Sequence, residues 1–336
     1  MRRLLPLLAL AAIAALLLAS CDSDNPTDDR PNADATLLLD FTPNAAHAGI
    51  YSAVARGFDD AEGVHLRVRV PGSGTDAVKL LLSGRAQFAV MDIHDLALAG
   101  ARGRELVAFM SIVQRPLAAV LTSGEIRTPR DLEGRKVGVT GLPSDDAVLR
   151  SIVEGAGGDF DAVETVTIGF NAVPALLGGR VDGATAFWNV EGVALREARP
   201  DARELRVEDF GAPPYPELVL VATRSTLRDE PALVSATVRS LVRGYGVTVH
   251  DPASSISDLE GRVRGLDRAQ LEAQLDALLP ALSPPGGRIG GLDPRILDRW
   301  ARWEARFGIV DSPPDVDRLF DPTVVPESGA ASDDAA

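Results

Sequence analysis

Apolar positions along the chain fall into short runs that alternate with stretches of helical spacing. Thr36-Leu37-Leu38-Leu39-Asp40-Phe41 has strand character, and Ala45 to Arg56 suits a helix ended by Gly57. From His65 to Val70 the pattern alternates, with Leu66, Val68 and Val70 on one face, before Pro71-Gly72-Ser73-Gly74 breaks the chain. Thr75 to Leu82 then predicts a helix closed by Gly84, and Gln87 to Met91 a buried strand. Strands alternating with helices of about ten residues predict an α/β sheet covered on both faces.

The pattern restarts after the apolar runs Leu106–Val113 and Leu117–Leu121, which flank Arg115-Pro116. Strands are predicted over Lys136–Thr140, Val163–Ile168 and Val181–Trp188, with helices over Asp145–Glu154 and Ala172–Leu177. A turn-rich Gly211-Ala212-Pro213-Pro214-Tyr215-Pro216 precedes the apolar Leu218–Ala222, where the chain is expected to cross back. Only helices are predicted beyond it, over Pro231–Tyr245, Leu266–Leu279 and Asp293 to Phe307. In the last, Asp and Pro at the start are a capping signal, and Ile296, Leu297, Trp300, Trp303 and Phe307 form one stripe, read as core and not as ligand site.

The N-terminus adds an address. Arg2 and Arg3 precede an apolar run from Leu4 to Leu18, the layout of a secretory signal peptide. The run is short for a membrane span, which takes about 20 apolar residues. Leu18-Ala19-Ser20-Cys21 resembles the bacterial lipobox, and Cys21 is the sole cysteine of the 336 residues, so no internal disulfide is possible. The resemblance implies cleavage before Cys21 and lipidation of it, with the protein exported and held at the outer face of the cytoplasmic membrane. Residues 21–35 read as a polar tether and 326–336 as a frayed tail. A net charge of −14 argues against nucleic acid as a partner.

Several segments carry a family resemblance. Leu39-Asp40-Phe41-Thr42-Pro43-Asn44, with His47, Gly49 and Tyr51, resembles the opening of the periplasmic thiamine-pyrimidine-precursor receptors, relatives of the nitrate, sulfonate and taurine receptors of ABC importers. Gly74 to Gly84, Gln87 to Val90, Asp131 to Val139 and Ala175 to Ala184 match further family segments in order. The resemblance implies a two-lobed type II periplasmic-binding fold, with lobe 1 over 36–118 and 219–325 and lobe 2 over 119–218. It implies a cleft between lobes joined by two crossings, a small heteroaromatic ligand, an ABC permease as partner, a monomer, and no cofactor. A thiamine pyrimidine precursor leads, with riboflavin or a sulfonate- or nitrate-type anion as alternatives.

The resemblance directs attention to the residues that follow predicted strands. Asp40, Phe41, Asn44, His47 and Tyr51 come first; Phe41 and Tyr51 could face a flat ligand or pack as core aromatics. Ser73 lies in a turn that could cradle an anion through backbone N–H groups, although Asp145 and Asp146 at the matching second-lobe helix start would repel one. Asp92 and His94 could cap a helix, contact ligand, or both. His47, Asp92, His94 and Glu191 lack the spacing of a zinc motif, so no metal is expected. Phe187-Trp188-Asn189-Val190-Glu191-Gly192 suggests stacking by Trp188 and hydrogen bonding by Glu191, the pairing an aminopyrimidine needs. The plainer readings are packing and a solvent-facing carboxylate. Tyr215 offers a hydroxyl or serves as hinge packing. Pyrimidine synthases share this fold and opening motif and, as a family, consume pyridoxal phosphate and an internal histidine. Here Pro43 to His47 holds no lysine and the cysteine-rich iron motif is missing, so a binding protein is expected and not an enzyme.

Overall fold

The computed structural model describes residues 32–70, 74–142, 144–283 and 288–326. The segment predicted as a signal peptide, Cys21, Ser73 and residues 327–336 lie outside the described residues. Ten strands form two sheets. The first contains β1 (Ala33–Leu38), β2 (Val64–Arg69), β3 (Phe88–Asp92), β4 (Leu106–Val113) and β10 (Leu218–Thr223), ordered β2-β1-β3-β10-β4. The second contains β5 (Ala118–Thr122), β6 (Lys136–Val139), β7 (Glu164–Thr167), β8 (Gly183–Phe187) and β9 (Arg203–Arg206), ordered β7-β6-β8-β5-β9.

The two sheets repeat one plan. β1 runs parallel to β2 and β3, and β6 parallel to β7 and β8. The strand that enters each sheet from the other, β5 or β10, pairs antiparallel on both its sides. The chain therefore passes between sheets twice, at 114–117 and at 211–217, and the carboxyl ends of the parallel strands point into the space between them. In open α/β sheets that end is where ligands bind.

Strand alternation distributes the core over both faces of the first sheet. Leu37 and Leu39 join a cluster with Leu241 and Leu275, whereas Leu38 joins another with Trp300. All eight residues of β4 are buried, as a continuous apolar run in a covered strand requires. Trp300 and Trp303 are buried on the helix Pro294–Arg306, as the stripe predicts.

β1 begins at Ala33, not Thr36, because Ala33 to Ala35 already pair with Val64 to Leu66. The helix predicted to end at Tyr245 continues to His250. Its Gly244 is a packing device: a Cβ there would lie 2.1 Å from the carbonyl oxygen of Gly49 on the helix Ala48–Ala55, so the two helices can approach only without a side chain at that point. Asp251-Pro252 then opens a further helix, Pro252–Arg262, where Asp251 accepts the Ser254 N–H at 3.2 Å. The short strand β9 was also not expected, since Arg-Glu-Leu-Arg at a sheet edge has one apolar residue.

Candidate ligand-binding site

A cavity of about 320 Å³ lies where the carboxyl ends of β1, β3, β6 and β8 converge, lined from both sheets. Leu39 to Thr42 follow β1, Asp92 ends β3, Thr140 follows β6, and Phe187 ends β8, so each contributes wall. Six carboxylate residues line it: Asp40, Asp92, Asp95, Asp145, Glu191 and Glu217. No lysine or arginine does among the described residues.

Asp40 is held from behind. His47 donates from Nε2 to the Asp40 carboxylate at 2.8 Å, while its Nδ1 accepts the Asn44 backbone N–H at 3.2 Å. Those two bonds assign the tautomer and orient Asp40. Asn44 itself caps the following turn, its side chain accepting the Ala46 N–H at 2.9 Å. At the mouth, Phe41 meets Phe170, with ring centroids 5.2 Å apart and planes inclined by 50°. One ring follows β1 and the other follows β7, so an aromatic pair spans the two sheets.

The floor is a charge cluster. Asp92 caps the helix Ile93–Ala101 and accepts the His94 N–H at 2.7 Å. The His94 ring donates from Nδ1 to Glu304 and from Nε2 to the Tyr215 hydroxyl at 3.2 Å. Burial alone would depress the His94 pKa, but Glu304, Asp92 and Glu217 carry it up to about 10, so the ring is an imidazolium at neutral pH. Glu217 accepts the backbone N–H groups of Leu117 and of Ala118, the latter at 3.1 Å, and thereby ties the second crossing to the first. Burial, with Asp92 beside it, pushes the Glu217 carboxyl up to about 8.

Burial pushes Asp95 up to about 7, with added repulsion from Asp92 and from Asp145 of the other sheet. Asp145 is raised by burial too, although its Oδ2 accepts Thr140 Oγ1 and the Gly141 N–H at 2.7 Å and the Leu142 N–H at 2.9 Å. Glu191, at the first turn of the helix Glu191–Ala198, is raised by burial. Asp92, His94 and Glu217 place ligand atoms within 4.8 Å of one another, close enough for a metal ion. An imidazolium that donates from both nitrogens has no lone pair to offer one, so the set acts here as a salt-linked cluster.

Of the eleven residues expected to touch ligand, Asp40, Phe41, Asn44, Asp92, His94 and Glu191 line the cavity. Four do not. His47 is fully buried behind Asp40, and Tyr51, 7% exposed, packs in the core of the first sheet. Trp188 donates its indole N–H to the Pro116 carbonyl at 2.9 Å, the Arg206 guanidinium covers one face of its ring at 4.1 Å, and the residue is buried away from the cavity wall. Tyr215 is fully buried between His94 and Trp303, with ring centroids 5.2 and 5.6 Å away. Ser73 lies outside the described residues.

Sequence reasoning missed Asp95, Glu217 and Phe170 as wall residues. Each left a trace. Asp92 and Asp95 are three apart on a helix start and share a face; Glu217 is a lone charge at the head of an apolar strand; Phe170 is a large apolar side chain in a loop, 58% exposed, after Gly169 at φ +61°.

A formylaminopyrimidine-binding protein from Halalkalibacterium halodurans is 29% identical over 299 residues, covering 87% of this chain and 90% of its own. A 4-amino-5-hydroxymethyl-2-methylpyrimidine phosphate synthase from Legionella pneumophila is 26% identical, covering 65% of this chain and 70% of its own. Among solved structures, the periplasmic aliphatic sulphonate binding protein SsuA from Escherichia coli superposes with a TM-score of 0.70 at 18% identity, covering 87% of this chain and 93% of that one. The fold is thus that of the two-lobed type II periplasmic binding proteins. The profile of the family described as NMT1/THI5 like matches residues 44–255, and the chain belongs to that family.

Proposed function

We propose that this protein is the solute-binding component of an ABC importer and captures a small, flat, donor-rich heteroaromatic, a thiamine pyrimidine precursor first. The observation that carries this reading is the lining: six carboxylates from both sheets, no lysine or arginine among the described residues, and a pair of phenylalanine rings at the mouth. An aminopyrimidine offers N–H groups and a protonatable ring nitrogen to carboxylates and a π face to the rings. An anion would meet repulsion from each carboxylate that is ionised; at about 5 Å and an effective dielectric constant near 20, each such like-charge pair costs about 3 kcal/mol. This favours the pyrimidine over a sulfonate or nitrate, and the relation to a formylaminopyrimidine-binding protein supports it. Riboflavin shares the same donor and stacking chemistry and stays as the second ligand to test.

A synthase-type enzyme fits less well. Lys79 and Lys136 are the chain's lysines and neither lines the cavity. His47 is committed at both ring nitrogens to positioning Asp40 and a turn. Cys21, by its lipobox resemblance, is the proposed lipid anchor, with the two sheets as cores of two lobes that close on ligand before a permease.

Titration calorimetry against 4-amino-5-hydroxymethyl-2-methylpyrimidine, the formylaminopyrimidine, riboflavin, taurine and nitrate tests the reading. Tightest binding of a pyrimidine is expected. Binding of taurine or nitrate with no heat from either pyrimidine would reject it.

A further inference from the structure

We infer that the cavity holds a second recognition pole, walled by Asp92, Asp95 and Asp145 with Glu217 beneath, which takes a positively charged substituent of the ligand, an ammonium group. This rests on the aminopyrimidine reading and extends it to the part of the molecule away from Glu191.

Asp92 and Asp95 project from the start of the helix Ile93–Ala101 under the first sheet's β3, and Asp145 from the start of a helix belonging to the second sheet. All three line the cavity. Helix capping accounts for Asp92, and the Gly141 and Leu142 amides account for one oxygen of Asp145. Among the described residues nothing donates a hydrogen bond to Asp95.

Glu217 supplies an independent observation. Its side chain is fully buried, and while Oε2 takes two backbone N–H groups, Oε1 has no hydrogen-bond partner and lies 3.7 Å from His94 Nε2. A buried carboxyl oxygen without a partner is costly whether it is ionised or protonated. The one cationic side chain of the floor, His94, spends its Nδ1–H on Glu304, which does not line the cavity. The pole thus sets four carboxyl groups against one cationic side chain.

The pole is also distinct from Glu191. Glu191 stands on another element, the helix Glu191–Ala198 that follows β8, whereas Asp92 and Asp95 start the helix after β3 and Asp145 starts the helix after β6. The cation that Asp95 feels besides His94 is Arg102, exposed past the far end of the same helix. A ring held at Glu191 and the phenylalanines can therefore carry its charged arm toward a separate acidic wall, and an ammonium there offsets repulsion between carboxylates of the two sheets.

The test compares two ligands with the same ring, 4-amino-2-methylpyrimidines bearing 5-aminomethyl or 5-hydroxymethyl, by calorimetry at pH 7 on the whole protein. The ammonium compound is expected to bind at least tenfold tighter, with the ratio shrinking as salt is added. In Asp95→Asn, and in Asp95→Asn combined with Asp145→Asn, the ratio of the two affinities should fall toward one. Because the readout is a ratio within one variant, a general loss of stability does not move it. Equal affinities in the parent, or a ratio that survives both variants, would overturn the second pole while leaving pyrimidine binding intact. Absence of heat from both compounds, with riboflavin or an anion binding, would instead overturn the ligand assignment and the pole with it.

Discussion

The indole N–H of Trp188 donates to the carbonyl of Pro116 at 2.9 Å, joining the end of β8 to the first crossing between the sheets. The Trp188 backbone N–H adds a second tie to the Leu117 carbonyl at 3.0 Å. A residue that the local motif suggests for stacking is thus spent on holding the crossing, with Arg206 over its ring. Trp188→Phe keeps most of the apolar area and leaves the Pro116 carbonyl without its buried donor, a loss of about 1 to 3 kcal/mol. Chemical denaturation should show that loss, with pyrimidine affinity changed by less than about threefold. A large loss of affinity with unaltered stability would return Trp188 to the ligand.

Glu191, the carboxylate within the segment Phe187 to Gly192, lines the cavity. Glu191→Gln keeps its shape and removes its charge. A charge-assisted hydrogen bond contributes about 1.5 to 3 kcal/mol, so affinity for an aminopyrimidine should fall about tenfold or more. Calorimetry on the variant checks this, and parent-like affinity would remove Glu191 from the site.

Glu217 has a structural role that Glu191 lacks, because its carboxylate accepts two backbone N–H groups at the start of β5. Glu217→Ala strands both, at about 1 to 3 kcal/mol each. Glu217→Gln retains an acceptor oxygen and should recover most of that loss. Urea midpoints of the two variants decide it; equal midpoints would mean that the clasp contributes nothing.

The floor predicts how stability varies with pH. The Asp95 and Glu217 carboxyls sit at about 7 and about 8 in the folded chain, above the ordinary carboxylate range, so between about pH 4 and 8 the folded state binds more protons than the unfolded. His94, at about 10, binds its proton more tightly when folded; the stability it contributes is full below its ordinary value near 6.5 and lost as pH rises through 10. All three act in one direction. The melting temperature of the ligand-free protein should decline from pH 5 to pH 10, and His94→Gln should flatten the alkaline part. A melting temperature that climbs over this range contradicts the assignment.

Anchoring is expected to depend on Cys21, which joins the apolar leader to the polar stretch after it. Cys21→Ser should shift the protein from the membrane fraction to the soluble fraction after a carbonate wash. Retention equal to the parent would reject the lipid anchor.

Much of this protein is determined by local pattern. Period-two runs such as His65 to Val70 and helix starts such as Asp293-Pro294 specify elements through side-chain direction and capping, which act within a few residues. The same logic places Asp40, Asn44, Asp92, His94 and Glu191 at strand ends or helix starts, and the ordered motifs carry the family resemblance. Which of those side chains face ligand is decided elsewhere. Phe170 lines the mouth and Trp188 does not, because the first meets Phe41 across the sheets while the second is drawn into the crossing by Pro116 and Arg206. Glu217 reaches the amide of Leu117, one hundred residues earlier, only because the returning chain lies beside the outgoing one. Local periodicity sets which face a residue takes. The meeting of two sheets, a long-range packing event, decides which faces become the wall of the cavity.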